Sequence, residues 1–155
     1  KRIFAILLVL ISAPSSAYPF VIAFNLTEFK NCILLDKVQA PHYNYVGDSV
    51  LGNRAHMGAG SICSNLKSDG KAVVIHSDDD IETGLRKIGG ILADGADVGC
   101  GCVINPGTVI GKNTSVYPLT SLRGVYPANS IVKSQSTVVI RKENGNENII
   151  TQTYD

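Results

Sequence analysis

Few side chains in this 155-residue chain can move a proton near neutral pH, chiefly His42, His56 and His76. His42 lies in Pro41-His42-Tyr43-Asn44-Tyr45-Val46-Gly47-Asp48, and Asn65 and Lys71 follow in a polar stretch after Met57-Gly58-Ala59-Gly60-Ser61. A histidine can take the proton of an attacking amine, while asparagine and lysine can hold a phosphate or steady an oxyanion. With Tyr45 three residues after His42, these residue types suit acyl transfer to an amine. A lone histidine is more often an ordinary hydrogen-bonding residue. The assignment therefore depends on what brings these groups together.

Metal binding has less support. A zinc site built on histidines typically draws two of them from nearby in sequence, and His42, His56 and His76 include no close pair. Cys32, Cys63, Cys100 and Cys102 form no CxxC pair and sit among apolar or glycine-rich residues. They read as small buried side chains in a reducing compartment, and no metal site is expected.

The elements that must position these residues show as six-residue steps. Tyr45-Val-Gly-Asp-Ser-Val, Leu51-Gly-Asn-Arg-Ala-His and Met57-Gly-Ala-Gly-Ser-Ile each begin with a large apolar residue and carry Ser or Ala fifth. The steps resume at Leu92 and continue at Val98, Ile104, Ile110, Val116 and Leu122. Period six is neither helical nor simple alternation; it marks an all-β hexapeptide-repeat solenoid, a left-handed parallel β-helix. Three steps make a triangular coil of about eighteen residues. The leading residues fill the prism, small fifth residues fit near its corners, and Gly at the second place and Gly or Asn at corners allow left-handed backbone angles. Residues one coil apart stack, so His42, Asn65 and Lys71 are expected to converge on one edge. Such a solenoid also carries zinc carbonic anhydrases, which the histidine spacing disfavours.

Cys63–Gly90 breaks the period and reads as an inserted loop, where a rigid solenoid usually carries its function. Within it, Ala72–His76 reads as β-like and Ser77–Gly84 as a turn. Ile131–Ile140 suits a last strand, and Arg141–Asp155 is polar. The expected organisation is an apolar segment over 1–24, the β-helix over 25–133 and a C-terminal tail over 134–155 that caps the open end or stays unstructured. Residues 1–17 combine a basic start, the apolar run Ile3–Ile11 and small residues at Ser15 and Ala17, which suits either a signal peptide or a structural segment. Hydrophobic content of 45% with 17% charged residues fits a folded body, and a net charge of +1 without a basic block argues against nucleic acid. No membrane partner is expected either, the apolar run being too short to span a bilayer.

Asn25-Leu-Thr-Glu-Phe-Lys30, the His42 segment, and Met57-Gly-Ala-Gly-Ser-Ile-Cys-Ser-Asn65 with Lys71 together resemble the C-terminal acetyltransferase domain of bifunctional N-acetylglucosamine-1-phosphate uridyltransferases. The chain is similar in particular to UDP-N-acetylglucosamine pyrophosphorylase-related proteins, in which Glu82-Thr-Gly-Leu-Arg-Lys87 also recurs. The likeness covers about 25–133. It implies an acetyl-CoA-dependent N-acetyltransferase of an amino-sugar 1-phosphate, working as a cytoplasmic homotrimer with sites between subunits. Export is the implication instead if residues 1–17 are a signal peptide.

By the same resemblance His42 is the general base, and Asn65 helps place amine and acetyl group. Lys30, Tyr45 and Lys71 hold the sugar phosphate, Ala59 offers a backbone contact near the thioester carbonyl, and Cys100 and Pro118 fall where the family contacts coenzyme A. Divalent metal belongs to the family's nucleotidyltransferase half. His56 stands where the family has an Asn, and a phosphate-binding Arg expected near Ser12 is not there. A second implication is a non-catalytic, trimerising or regulatory β-helix of a sugar-1-phosphate nucleotidyltransferase.

Overall fold

A computed structural model describes residues 26–134, together with the backbone of two strands at 137–141 and 147–150. The apolar segment 1–24, with its signal-peptide reading, and the remaining tail residues lie outside the described residues. The described chain is all β and winds as a left-handed parallel β-helix.

Three sheets form the sides of the prism. Face one stacks Glu28–Lys30, Tyr45–Gly47, Ile62–Cys63, Val103–Ile104 and Ser121–Leu122. Face two stacks Ile33–Leu34, Val50–Leu51, Ile91–Leu92, Val109–Ile110 and Val125–Tyr126. Face three stacks His56–Met57, Asp97–Val98, Ser115–Val116 and Ser130–Ser134, with Gln39 bridged to His56. Thr137–Arg141 and Glu147–Ile150 then extend face three in antiparallel fashion, so the segment read as one last strand over 131–140 is two.

Inside the prism the leading residues stack in register. Leu92, Val98, Ile104, Ile110, Val116 and Leu122 are all buried, as the period predicts. Two leading residues differ from the sequence reading. Val46, fully buried and paired with Cys63, fills the inner column of face one, whereas Tyr45 points outward. Near the other end Tyr126 stacks on Ile110, so the Leu122 step is cut to four residues and the ring occupies a leading place. The shortened step leaves Asn113 and Asn129 only 16 residues apart, against 17 for Asn31 and Asp48 in the first coils.

Buried Ser61, Thr108, Thr114 and Thr120 occupy fifth places and donate their hydroxyls to the carbonyls of Gly99, Leu122, Pro127 and Tyr117. A small hydroxyl there adds a donor to a corner carbonyl while still fitting the narrow space near the corner.

The glycines divide by cause, and here the sequence reading needs correcting. Positive φ falls at the fourth place, in columns such as Tyr43, Gly60, Gly101 and Leu119. Second-place glycines are required by close approach instead: a Cβ on Gly99 would lie 2.6 Å from the Pro118 nitrogen of the next coil. The coils stack so tightly there that no side chain fits between them.

The inserted segment leaves face one after Cys63, which is itself an inner residue, and returns before Ile91. Register partners that straddle it, such as Asn53 and Asp94, are 41 residues apart. Val74–Ile75 pairs antiparallel with Ile81–Glu82, so part of the expected turn over 77–84 is a strand of a hairpin. A bridge between Leu66 and Lys87 closes the base of the excursion. No helix of the described residues is long and apolar enough to cross a membrane.

The two causes of glycine are separable by experiment. Gly60→Ala, at φ 70° with open space around it, should cost about 1 kcal/mol from the left-handed backbone alone. Gly99→Ala must push two coils apart and should cost about 3 kcal/mol. Urea midpoints of the two variants check the order; an equal or smaller cost for Gly99→Ala would contradict the close-approach argument.

Candidate functional site

The corner between faces three and one carries His42. The Gly60 N–H donates to the His42 carbonyl at 2.9 Å, the Gly101 N–H to the Ala59 carbonyl at 2.9 Å, and the Leu119 N–H to the Cys100 carbonyl at 2.9 Å. These bonds set His42, Ala59, Cys100 and Pro118 in one column along the prism edge. Ala59, Cys100 and Pro118 each hold the third place of a six-residue step. They are neighbours because each holds the same place in successive coils.

Asn44 builds this edge, and sequence reasoning passed it over. It is buried in a fifth place, where the larger amide reaches across to the next coil. Its Nδ2 donates to the carbonyls of Gly58 at 2.7 Å and Ser61 at 3.3 Å, and its Oδ1 accepts from the His42 N–H at 3.2 Å. The His42 loop is thereby tied to the coil of Ala59. The His42 ring itself is exposed, and no side chain of the described residues hydrogen-bonds it.

Tyr45, Asn65 and Lys30 gather at the opposite edge of face one. Lys30 is in register with Gly47, and Tyr45 lies on face one with its hydroxyl 3.2 Å from Asn65 Nδ2. Gly47 leaves room for this meeting, since a Cβ there would sit 2.5 Å from the Tyr45 hydroxyl and 2.7 Å from Asn65 Nδ2. Asn65 also donates to Asp48 Oδ2, and Asn31 donates to Asp48 Oδ1 at 3.3 Å. Asp48 thus anchors Asn65 from one coil back, a second residue that the motif reading missed. Its one signal was the 17-residue spacing. Burial pushes the Tyr45 phenol above its usual range, reinforced by the charge of Glu28.

The expected convergence on one edge within a chain is therefore corrected. Asn65 stacks on Asp48, not on His42, because it holds the corner place between faces one and two. Lys71 is exposed in the excursion, where its N–H donates to Asp69 Oδ1 at 3.0 Å and Arg86 Nε ties the neighbouring Gly70 carbonyl at 2.9 Å.

The three histidines also lie apart. His56 Nδ1 is 2.7 Å from Asp97 Oδ1 on face three. His76 sits in the hairpin between Asp80, at 3.2 Å from Nδ1, and Arg123 Nη2, at 3.1 Å from Nε2. Among the described residues no group of His, Cys, Asp and Glu is arranged to hold a metal ion.

All four cysteines are free, but they are not alike. Cys63 and Cys102 are buried, Cys32 is half-buried, and Cys100 is exposed on the His42 edge, against the expectation that all were interior. Burial pushes the Cys63 thiol up to about 12. Among these cysteines, iodoacetamide should alkylate Cys100 first in the folded protein and reach Cys63 only on unfolding, as peptide mapping over time will show. Asn44→Ala, which removes the amide's bonds to the Gly58 and Ser61 carbonyls and to the His42 N–H, should cost about 1–3 kcal/mol in denaturant melts; no change would mean the amide does not hold the edge.

The outer columns of the faces differ in chemistry. Face two presents Ile33, Val50, Ile91, Val109 and Val125 in unbroken register. Face three presents Gln39, His56, Asp97 and Ser115.

No family model matches the chain. It is 31% identical over 119 residues to the bifunctional protein GlmU of Methanococcus maripaludis, covering 77% of this chain and 29% of that protein. It is 34% identical over 92 residues to a bifunctional sugar-1-phosphate nucleotidylyltransferase/acetyltransferase of Sulfurisphaera tokodaii, covering 59% of this chain and 23% of that one. The chain thus spans less than a third of the length of these curated relatives. Among solved structures it aligns with the polySia-specific acetyltransferase NeuO at a TM-score of 0.43 and 15% identity, over 78% of this chain and 56% of that one. Register, edge and repeat, together with the sequence likeness, make the described part of this chain a GlmU-like left-handed β-helix domain of hexapeptide repeats.

Proposed function

We propose that this domain transfers an acetyl group from acetyl-CoA to the 2-amine of an amino-sugar 1-phosphate, of the glucosamine 1-phosphate type. The observation that carries the reading is the single edge column of His42, Ala59, Cys100 and Pro118. It sets a proton acceptor at one end of a straight track about 15 Å long, at ~4.8 Å per coil, suited to the arm of coenzyme A. The likeness to a sugar-1-phosphate nucleotidylyltransferase/acetyltransferase supports the same chemistry.

In this reading the thioester carbonyl lies near the Ala59 backbone. His42 takes the proton as the amine attacks, the carbon–sulfur bond breaks, and coenzyme A leaves along Cys100 and Pro118. Lys30, Tyr45 and Lys71 hold the sugar phosphate and Asn65 orients the acceptor, with no metal required of this domain. The compartment that supplies acetyl-CoA and amino-sugar phosphates is the cytoplasm, which we take as the site of action.

One copy does not complete such a site. The His42 and Asn65 edges are separated by the width of face one, roughly 15 Å at ~3.3 Å per residue. An amino-sugar 1-phosphate carries nitrogen and phosphate on adjacent carbons, so the groups holding them must lie far closer together. A second copy can close that gap, and the apolar outer column of face two, with Ile33 59% exposed, gives copies a surface to share. A closed homotrimer is the assembly that this supports.

A thiol-release assay with acetyl-CoA and glucosamine 1-phosphate tests the reading on protein whose trimeric state is established by sedimentation. We expect steady coenzyme A release, reduced roughly 10²–10⁴-fold by His42→Ala with the trimer intact. A trimer that releases no coenzyme A above background would support the regulatory, non-catalytic reading instead.

A further inference from the structure

Face three carries chemistry that the reading above leaves unused. His56 and Asp97 are stacked outward in adjacent strands, with His56 Nδ1 2.7 Å from Asp97 Oδ1. The pair is 40% and 60% exposed, so as a surface ion pair it adds little to stability. Fold alone does not call for it. The outer column of face two, by contrast, holds β-branched aliphatics throughout.

The geometry fixes what the ring can do. The Asp97 carboxylate can only accept, so Nδ1 keeps its hydrogen whether the ring is neutral or charged. Nε2 is then the atom that gains and loses a proton, and no hydrogen bond of the described residues occupies it. His56 lies three residues before Ala59 on the approach to the corner, in the coil after that of His42. His42 thus stands on the corner itself, and His56 on face three, in register with Gln39.

We propose that His56 is a second catalytic residue of the acyl-transfer site, donating the proton that the departing coenzyme A sulfur takes, with Asp97 as its positioning residue. This rests on the acetyltransferase reading. In the step, the amine nitrogen bonds to the acetyl carbon and its proton passes to His42. The carbon–sulfur bond then breaks, its electron pair goes to sulfur, and the Nε2 proton of His56 moves to that sulfur to give the free thiol. The ring is left neutral, still donating Nδ1–H to Asp97, and regains a proton from water as His42 releases its own. Net change is amine plus thioester to amide plus thiol.

A general acid matters in proportion to how poor the leaving group is, which gives a test that a structural role does not mimic. His56→Asn and Asp97→Asn are compared with the wild-type protein and His42→Ala, using glucosamine 1-phosphate and two acetyl donors. Acetyl-CoA has an alkyl thiolate as leaving group; S-phenyl thioacetate has a far less basic aryl thiolate. With acetyl-CoA, His56→Asn is expected to lower kcat roughly 10²-fold and Asp97→Asn by a smaller factor. With the phenyl thioester both defects should shrink towards none, while that of His42→Ala persists.

Full activity of His56→Asn with acetyl-CoA overturns the proposal, and so does an equal defect with both donors. Either result leaves the acetyltransferase reading standing, because the wild-type protein is active. A wild-type trimer that releases no coenzyme A fails at the earlier step and removes both.

Discussion

Coil-on-coil stacking through parallel backbone hydrogen bonds is the constraint from which the rest of this molecule follows. Each coil must lie one strand spacing, ~4.8 Å, from the next along all three faces. That spacing excludes a Cβ where Gly99 meets Pro118, and beside the corners it favours small residues such as Thr114 and Thr120, whose hydroxyls donate to corner carbonyls. It forces inner residues into columns whose burial supplies the driving force for winding. A chain held this way has little freedom to adjust a site locally; it can vary only which side chain stands at a given place in a given coil.

The candidate site follows from that restriction. Groups far apart in sequence meet when they hold the same place, as His42, Ala59, Cys100 and Pro118 do along one edge, or Asn31, Asp48 and Asn65 along another. Groups near in sequence are separated when a face lies between them, which keeps the two edges apart in a single chain. The proposed trimer is the natural consequence: a rigid prism that cannot bend to bring its edges together can bring an edge of one copy to another. The excursion after Cys63 is the exception, a segment free of the register, and it is there that Lys71 projects.

The histidines show how environment divides roles among identical side chains. His42 is shaped through its backbone by Asn44, His56 through its ring by Asp97, and His76 is clamped between Asp80 and Arg123. Each partner comes from a place that the coil register dictates or that the hairpin brings near. Their differing surroundings make one histidine a candidate base, one a candidate acid and one a tie between hairpin and coil.

The amino-acid sequence by itself determined the period, and with it the all-β solenoid and the inner columns from Leu92 to Leu122, because a repeating spacing is a local property that survives any neighbour. It also carried the family likeness through His42, Tyr45, Asn65 and Lys71. The phase at Tyr45 and Tyr126 was not legible, since a tyrosine suits an inner or an outer place and only the shortened steps decide which. Nor was the cause of the second-place glycines, which lies in the backbone of a different coil. The two-edge layout, Asp48 behind Asn65, Asn44 beneath His42 and the His56–Asp97 pair were settled only by the tertiary structure. Each depends on the lengths of the intervening coils and of the insertion, which fix register between residues that no local pattern connects.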